Sequence, residues 1–256
     1  MTVSPKFRYF GKSDRGKRRH NEDYYEAHEI IHSVNSRKNR ALLAVVCDGM
    51  GGANAGEVAS RTAVKKIISF IKKKLLIKNS ALYNEDINSI IQEAGRLAGN
   101  KILDMARDNP DYNGMGATCV ITLVFKNQFF YAHAGDSRIY LISSGKIHAL
   151  TRDHTLYNEM YSMGIRKDLP SRHIISRVLG VEENTDPEIG KKSPCGFSSG
   201  DCLLLCTDGL TGTLSSRAIL KLNKIFPAPR DFTQACIEKA LGGGAKDNIT
   251  VLCVIK

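Results

Sequence analysis

The stretch that most constrains this chain is Leu42–Gly56, which reads LLAVVCDGMGGANAG. An apolar run ends abruptly in an acid, and a glycine-dense turn follows. Leu42 to Val46 is short, β-branched at its end and free of polar alternation, the pattern of a strand buried on both faces. Asp48 would sit at the tip of that strand. Gly49, Gly51 and Gly52 permit positive φ and the close approach of a ligand to the backbone. An Asp-Gly pair alone is a common turn signal. It acquires a further meaning only if other acids reach the same place by the same kind of route.

Other acids do follow that route. Residues 117–125, 129–135 and 138–143 read as successive strands, and Gly135-Asp136 follows the second. Cys202 to Cys206 is another short buried strand and runs into Thr207-Asp208-Gly209. Lys246-Asp247-Asn248 leads directly into the last strand, ITVLCVI. Near the start, Phe7 to Phe10 reads as an edge strand. After it a basic cluster (Arg15, Lys17, Arg18, Arg19) precedes Asn21-Glu22-Asp23. Apolar residues at helical spacing predict helices over 57–77 and 86–107, with a third over 231–241 ended by Gly242-Gly243-Gly244. Two early helices, a run of strands and one late helix do not alternate as βαβ. The fold expected is α+β, with antiparallel sheets and helices packed outside. Residues 153–175 are polar and weakly patterned, a length inside a compact domain that points to a binding loop or lid.

With 256 residues, 42% hydrophobic and 25% charged, the chain suits one sizeable globular domain. No stretch has the ~18 consecutive apolar residues of a membrane span, and the N-terminus lacks a signal-peptide core. The expectation is a cytoplasmic protein without a membrane association. Seven cysteines, odd in number and mostly within apolar runs, read as reduced core thiols. The net charge of +11 raises nucleic acid as a partner. Against that, the lysines between Lys65 and Lys78 fall on one helix face with no interleaved aromatic set for stacking bases, so no nucleic-acid partner is expected.

Several familiar sites fail on spacing. Gly11-Lys12-Ser13 resembles the end of a P-loop, but the required glycine position holds Lys6. Gly49-Met50-Gly51 would need its third dinucleotide-binding glycine at Asn54. No cysteine has an arginine six residues on, as a thiol phosphatase needs. Cys202 and Cys206 have no partner pair at zinc spacing. His133 and His154 read as structural. What remains is the set Glu22, Asp23, Asp48, Asp136, Asp208 and Asp247. Gathered together, such carboxylates repel unless protonated or bound to metal, and oxygen-only ligands favour Mg²⁺ or Mn²⁺.

At these residues the chain resembles the metal-dependent protein serine/threonine phosphatases of type 2C, the PPM family, in its compact bacterial form. The resemblance runs from about Phe7 to Ile255. It is carried by SDRG-x-R-x-HNED (13–23), VVCDGMGG-x-x-AGEVAS (45–60), GATCV (116–120), HAGDSRIY (133–140), LTRDHT (150–155), ISRVLG (175–180), CLLLCTDGLTG (202–212) and KDNITV (246–251). It implies a central sandwich of two antiparallel β-sheets flanked on both sides by α-helices, in a single catalytic domain over 1–256. It implies two Mn²⁺ or Mg²⁺ ions in a core site and a third, weaker one. Asp48 would bridge the two, and the Gly49 carbonyl would ligate one of them. Asp208 and Asp247 would hold one ion and Asp23 the other, largely through water. Glu22 would act from behind the ligands, and Asp136 with Asp208 matches the third position. Arg18 matches the phosphate-binding arginine. The implied reaction is hydrolysis of phosphoserine or phosphothreonine esters in protein substrates by direct attack of a metal-bridging hydroxide. The implied setting is a monomer opposing a serine/threonine kinase.

The chain also departs from the family. The Gly16–Asn21 spacing is one residue shorter than usual, which makes Arg18 and Arg19 both candidates, with Arg18 preferred. Met50 and Ala53 stand where relatives carry a histidine, which leaves no general acid assigned. The flap-like segment 156–174 matches only weakly.

Overall fold

A computed structural model describes residues 7–34, 37–52, 55–77 and 84–256. Two antiparallel sheets lie face to face with helices on both outer sides. The first sheet has the order β1 (Arg8–Asp14), β12 (Ile249–Ile255), β11 (Cys202–Cys206), β7 (Arg138–Ser143), β8 (Lys146–Ala149). The second has the order β10 (Cys195–Gly196), β6 (Gln128–Ala134), β5 (Cys119–Phe125), β3 (Arg37–Met50), β2 (Asp23–Val34). Two short strands, β4 (Gly116–Ala117) and β9 (Glu188–Ile189), add to β3 and β6. The α+β sandwich expected from the sequence is therefore the fold.

The apolar stretch Leu42–Val46 explains the layering. Side chains alternate along a strand. Leu42, Ala44 and Val46 join the core between the sheets, with Leu203, Leu205, Leu252 and Val254 from the facing sheet. Leu43, Val45 and Cys47 join the outer core under α1 (Ala55–Ile77) and α2 (Asn84–Asp108). All six are fully buried, so the strand has no polar face to display and shows no alternation. The opposite outer core, under α5 (Ser216–Ile225) and α6 (Pro229–Gly242), takes Leu204, Cys206, Val251 and Cys253. The seven cysteines are all free thiols.

Four features differ from the sequence reading. The strand through Leu42–Val46 does not stop before Asp48. It continues to Met50, because Asp48 pairs with Asp23 of β2 and Gly49 with Ala117 of β4. Strand β2 went unseen because it is an edge strand: Glu26 pairs with His28, and Glu29 with Arg40, so its charges never enter the core. Helix α5, capped by Ser215, was not anticipated. The polar segment contains α3 (Leu156–Ser162), capped by the Thr155 hydroxyl accepting from the Asn158 amide. Ala53 and Lys78 lie outside the described residues.

Candidate active site

The acids converge at one end of the sandwich because neighbouring strands of both sheets end there. Asp48 is carried on β3, Asp136 follows β6, Asp208 opens α4 (Asp208–Thr211) just after β11, and Asp247 precedes β12. Glu22, Asp48, Asp136, Asp208 and Asp247 line one cavity of about 400 Å³, together with Gly49 and Arg18. Asp23 lies off that wall, buried as the register partner of Asp48.

The loops at this end can pack closely because glycines stand at the contacts. A Cβ on Gly49 would collide with the carbonyl oxygen of Gly56, and one on Gly209 with that of Asn248. Asn248 ties the loops together. Its side-chain oxygen accepts from the Glu22 amide at 2.8 Å, and its nitrogen donates to the carbonyls of Arg15 and His20, each at 2.9 Å. Thr118 fixes Asp48 from the other side: the Asp48 amide donates to Thr118 Oγ1 at 3.0 Å, and the Thr118 amide to the Asp48 carbonyl at 2.8 Å.

The electrostatics follow from burial and crowding. Asp48 is pushed well above the ordinary carboxylate range by burial, reinforced by the charges of Asp23, Asp208, Asp136 and Asp247. Burial lifts Asp23 to about 7, against hydrogen bonds from Thr250 and Thr207. Burial and the charge of Asp208 lift Asp136 to about 7. Asp208 is raised by burial and then by Asp247. Glu22 is raised by burial, which outweighs Arg18. Three carboxylate oxygens, Asp23 Oδ1, Asp136 Oδ1 and Asp208 Oδ1, are buried with no hydrogen-bond partner. Such groups are costly unless a proton or a cation meets them. An all-oxygen donor set with unmet lone pairs fits a hard divalent cation.

Arg18 stands at the rim, its Nη2 donating to Asp247 Oδ2 at 2.7 Å. Arg19 is exposed and off the cavity wall. The architecture and the sequence match known proteins. The protein phosphatase 2C family model matches residues 10–239. The chain belongs to the protein phosphatase 2C family. It is 33% identical over 249 residues to the serine/threonine phosphatase stp of Listeria innocua, across 95% of this chain and 93% of that protein. The Streptococcus agalactiae serine/threonine phosphatase superposes with a TM-score of 0.82 at 28% identity, over 98% of this chain and 99% of that one. The catalytic domain of the serine/threonine protein phosphatase PstP, solved in complex with two manganese ions, gives a TM-score of 0.77 at 30% identity, over 97% of each chain.

In this protein phosphatase 2C the polar segment 153–175, read from the sequence as a binding loop or lid, supplies two further residues to the cavity. His173 and Ile175 line the same cavity as the acids, and the charge of His173 acts on Asp208. His173 lies in a polar stretch with no periodic pattern, so the sequence marked the stretch as a binding loop but did not single out this residue. The flap is pinched at its neck by the bridge between Thr155 and Ile175 and by the Ser176 amide donating to the His154 carbonyl at 3.0 Å. Its base is held by Arg138, whose guanidinium donates to both oxygens of Asp153 at 2.7 and 2.6 Å. No helix among the described residues is long and apolar enough to cross a membrane.

Proposed function

We propose that this chain hydrolyses phosphoserine and phosphothreonine in proteins, as a single Mg²⁺- or Mn²⁺-dependent catalytic domain with residues 156–174 as its flap. The observation that carries the reading is the convergence of five carboxylates on one cavity, with an arginine fork at the rim. Asp48 and the Gly49 carbonyl would serve two ions, with Asp208 and Asp247 at one and Asp23, largely through water, at the other. Glu22 supports them from behind, and Asp136 with Asp208 suits a third, weaker ion. When bound, such ions neutralise phosphate oxygens and lower the pKa of a water that attacks phosphorus.

The chain's own residues do the rest. Arg18 swings from Asp247 to two phosphate oxygens, which its planar fork matches. The buried acids are held in place by strand pairing and by Thr118 and Asn248, so ions bound to them would need little reorganisation during the displacement. Among the described residues lining the cavity there is no cysteine, and burial pushes the neighbouring Cys47 thiol far up. This supports direct attack by water without a phosphoenzyme. With Met50 in place of a histidine, His173 is the cavity group able to give a proton to the departing serine oxygen. The proposed setting is cytoplasmic and monomeric, opposite a serine/threonine kinase.

The test is turnover of p-nitrophenyl phosphate and of a phosphothreonine peptide. Activity should require Mn²⁺ or Mg²⁺ and vanish with EDTA and in Asp208→Ala. Well-folded protein with no metal-dependent turnover would instead mark a regulatory chain that has kept only the fold.

A further inference from the structure

We propose that a groove beside the acid cavity holds the substrate chain next to its phosphorylated residue, and that it selects an apolar side chain and a lysine or arginine there. The inference rests on the phosphatase reading and names the protein segments that such a site would accept. The groove has a volume of about 640 Å³, within the ~300–1,000 Å³ of sites that enclose a ligand. Met50 and Ile175 line both the groove and the acid cavity. A chain whose phosphate sits among the acids can therefore run past these two side chains into the groove.

The floor is apolar and the fold does not use it. Val178 and Val181 continue the surface begun by Met50 and Ile175, and none of the four belongs to any of the three cores. Met50 is 39% exposed and Val181 48%. A run of apolar side chains left outside the cores marks a contact surface. Its frame is fixed before any ligand arrives. Leu179, buried beneath the floor, exchanges both backbone hydrogen bonds with Ala117 at 2.9 Å, and Ala117 pairs with Gly49. The floor is thus tied through β4 to the strand that carries Asp48. The far wall, 181–186, is tied to α2. The Asn184 amide donates to Asn100 Oδ1 at 2.9 Å, Asn100 Nδ2 donates to Asn184 Oδ1 at 3.2 Å, and Arg107 Nη2 donates to Glu183 Oε1 at 2.6 Å. A groove set in advance spares a ligand the cost of ordering it.

Charge decides which segment suits it. The chain as a whole carries +11, yet the groove is lined by Glu159, Glu182, Glu183 and Asp186 against a single base, Arg177. Arg107 answers Glu183, and Arg96 lies 3.8 Å from Asp186. Arg177 faces away from these acids, with Nη1 3.9 Å from Glu188 Oε2. Glu159 accepts a hydrogen bond from the Ser176 hydroxyl at 2.5 Å. Among the described residues neither Glu159 nor Glu182 has a cation of its own. Two carboxylates without a partner thus stand over an apolar floor. The complement is an apolar side chain followed by a basic one, and an acidic segment is repelled.

The experiment uses the full chain in Mn²⁺ and three phosphothreonine peptides, each with the same flank on both sides of the phosphoresidue: valine with lysine, valine with glutamate, and serine with lysine. The valine–lysine peptide should exceed the valine–glutamate peptide by about fivefold or more in kcat/KM, the worth of a few exposed charge pairs. It should exceed the serine–lysine peptide by about threefold or more, from apolar area covered on the floor. Glu182→Lys, at the exposed wall, should bring the first ratio close to one. Val181→Ser should at least halve the second. Both variants should turn over p-nitrophenyl phosphate as the wild type does, since neither residue lines the acid cavity. Fluorescence anisotropy of the labelled peptides on Asp208→Ala should give the same order of affinities where nothing is turned over. Equal treatment of the lysine and glutamate peptides, equal treatment of the valine and serine peptides, or a lysine preference that Glu182→Lys leaves intact would each overturn the proposal. Loss of p-nitrophenyl phosphate turnover in the wild type would strike the phosphatase reading instead, and the anisotropy order would still decide the groove.

Discussion

At the acid end of the sandwich the groups are fixed by sheet pairing and by backbone ties: Asp23 against Asp48, Gly49 against Ala117, and Asn248 binding its own loop to the β1–β2 loop at Arg15, His20 and Glu22. The flap above it is held largely by its own side chains. Arg172 stacks on Tyr157 with its Cζ 4.0 Å from the ring centre, Tyr157 stacks on Tyr161 at 6.1 Å, and Arg166 lies 3.9 Å from the Tyr161 ring centre. One region is rigid, buried and electrostatically strained. The other is exposed and weakly held, and it presents Met163, Ile165 and Ile174 to solvent. The difference leads us to propose reaction chemistry for the first and substrate choice for the second, and each proposal can be broken separately.

The largest effect should come from the strained region, and with opposite signs in two measurements. Asp48→Asn should lower kcat by about 10³-fold or more if, as proposed, its carboxylate serves both ions. The same change should raise the melting temperature of metal-free protein, because it removes a buried acid that burial and four neighbouring acids force to take up a proton. A variant that is inactive and also less stable without metal would show that the acids are not strained, and the comparison would fail.

A pH series probes the same strain without mutation. The folded chain holds protons on Asp23 and Asp136 up to about pH 7, whereas the unfolded chain loses them near 3.8. Folding is therefore favoured most below the lower value by this effect, and the benefit is lost as pH rises toward 7. In EDTA, unfolding free energy should fall by on the order of 5 kcal/mol between pH 5 and 8, from the two groups together. Saturating Mn²⁺ should remove most of that slope. A flat EDTA profile would mean that the acids are already relaxed.

The contrast between regions also explains what the sequence disclosed. The acid end was legible because its geometry leaves a mark at each position: buried strands such as Leu42–Val46 and Cys202–Cys206 carry no polar alternation, and each runs into Asp-Gly. Strand β2 was not legible, since Glu26, His28 and Glu29 on an edge strand look like loop charges until their partners are known. Helix α3 was hidden because none of its residues is buried, so no apolar stripe exists to be read. His173 reaches the cavity through the fold of the flap neck, a tertiary fact without a local pattern.

Arg18 tests the boundary between the two regions. It is 55% exposed in its side chain yet donates to a cavity acid. Arg18→Ala should lower kcat/KM by about 10–100-fold, the worth of a charged hydrogen bond or two to phosphate. Arg18→Lys should recover only part, because a point charge cannot span two oxygens. Arg19→Ala should be nearly neutral. If Arg19→Ala proved the more damaging, the rim would be assembled differently from its arrangement here. His173→Gln should have a smaller effect that depends on the leaving group: roughly tenfold on a phosphoserine peptide, whose alkoxide needs a proton, and little on p-nitrophenyl phosphate. Equal loss on both substrates would place His173 in binding, not proton transfer.

The smallest effect should come from the flap's own stacking, and its smallness is the point. Exposed cation–π contacts contribute about 0.5–1 kcal/mol each. Arg172 makes one on Tyr157 and donates to its hydroxyl at 2.8 Å, so Arg172→Ala removes both at once. The flap should open several-fold more often, read as faster amide exchange over 156–174 and faster proteolytic cutting there. The sandwich beneath should melt at nearly the same temperature, since its three cores share no contact with that pair. Arg172 also lines a cavity with Asp136 and Asp208; if the flap serves substrate choice alone, turnover of p-nitrophenyl phosphate should hold while KM for a phosphoprotein shifts. If Arg172→Ala instead lowered the melting temperature as much as a core truncation, the flap would be part of the sandwich's cooperative unit, and the assignment of chemistry and choice to separate regions would fall.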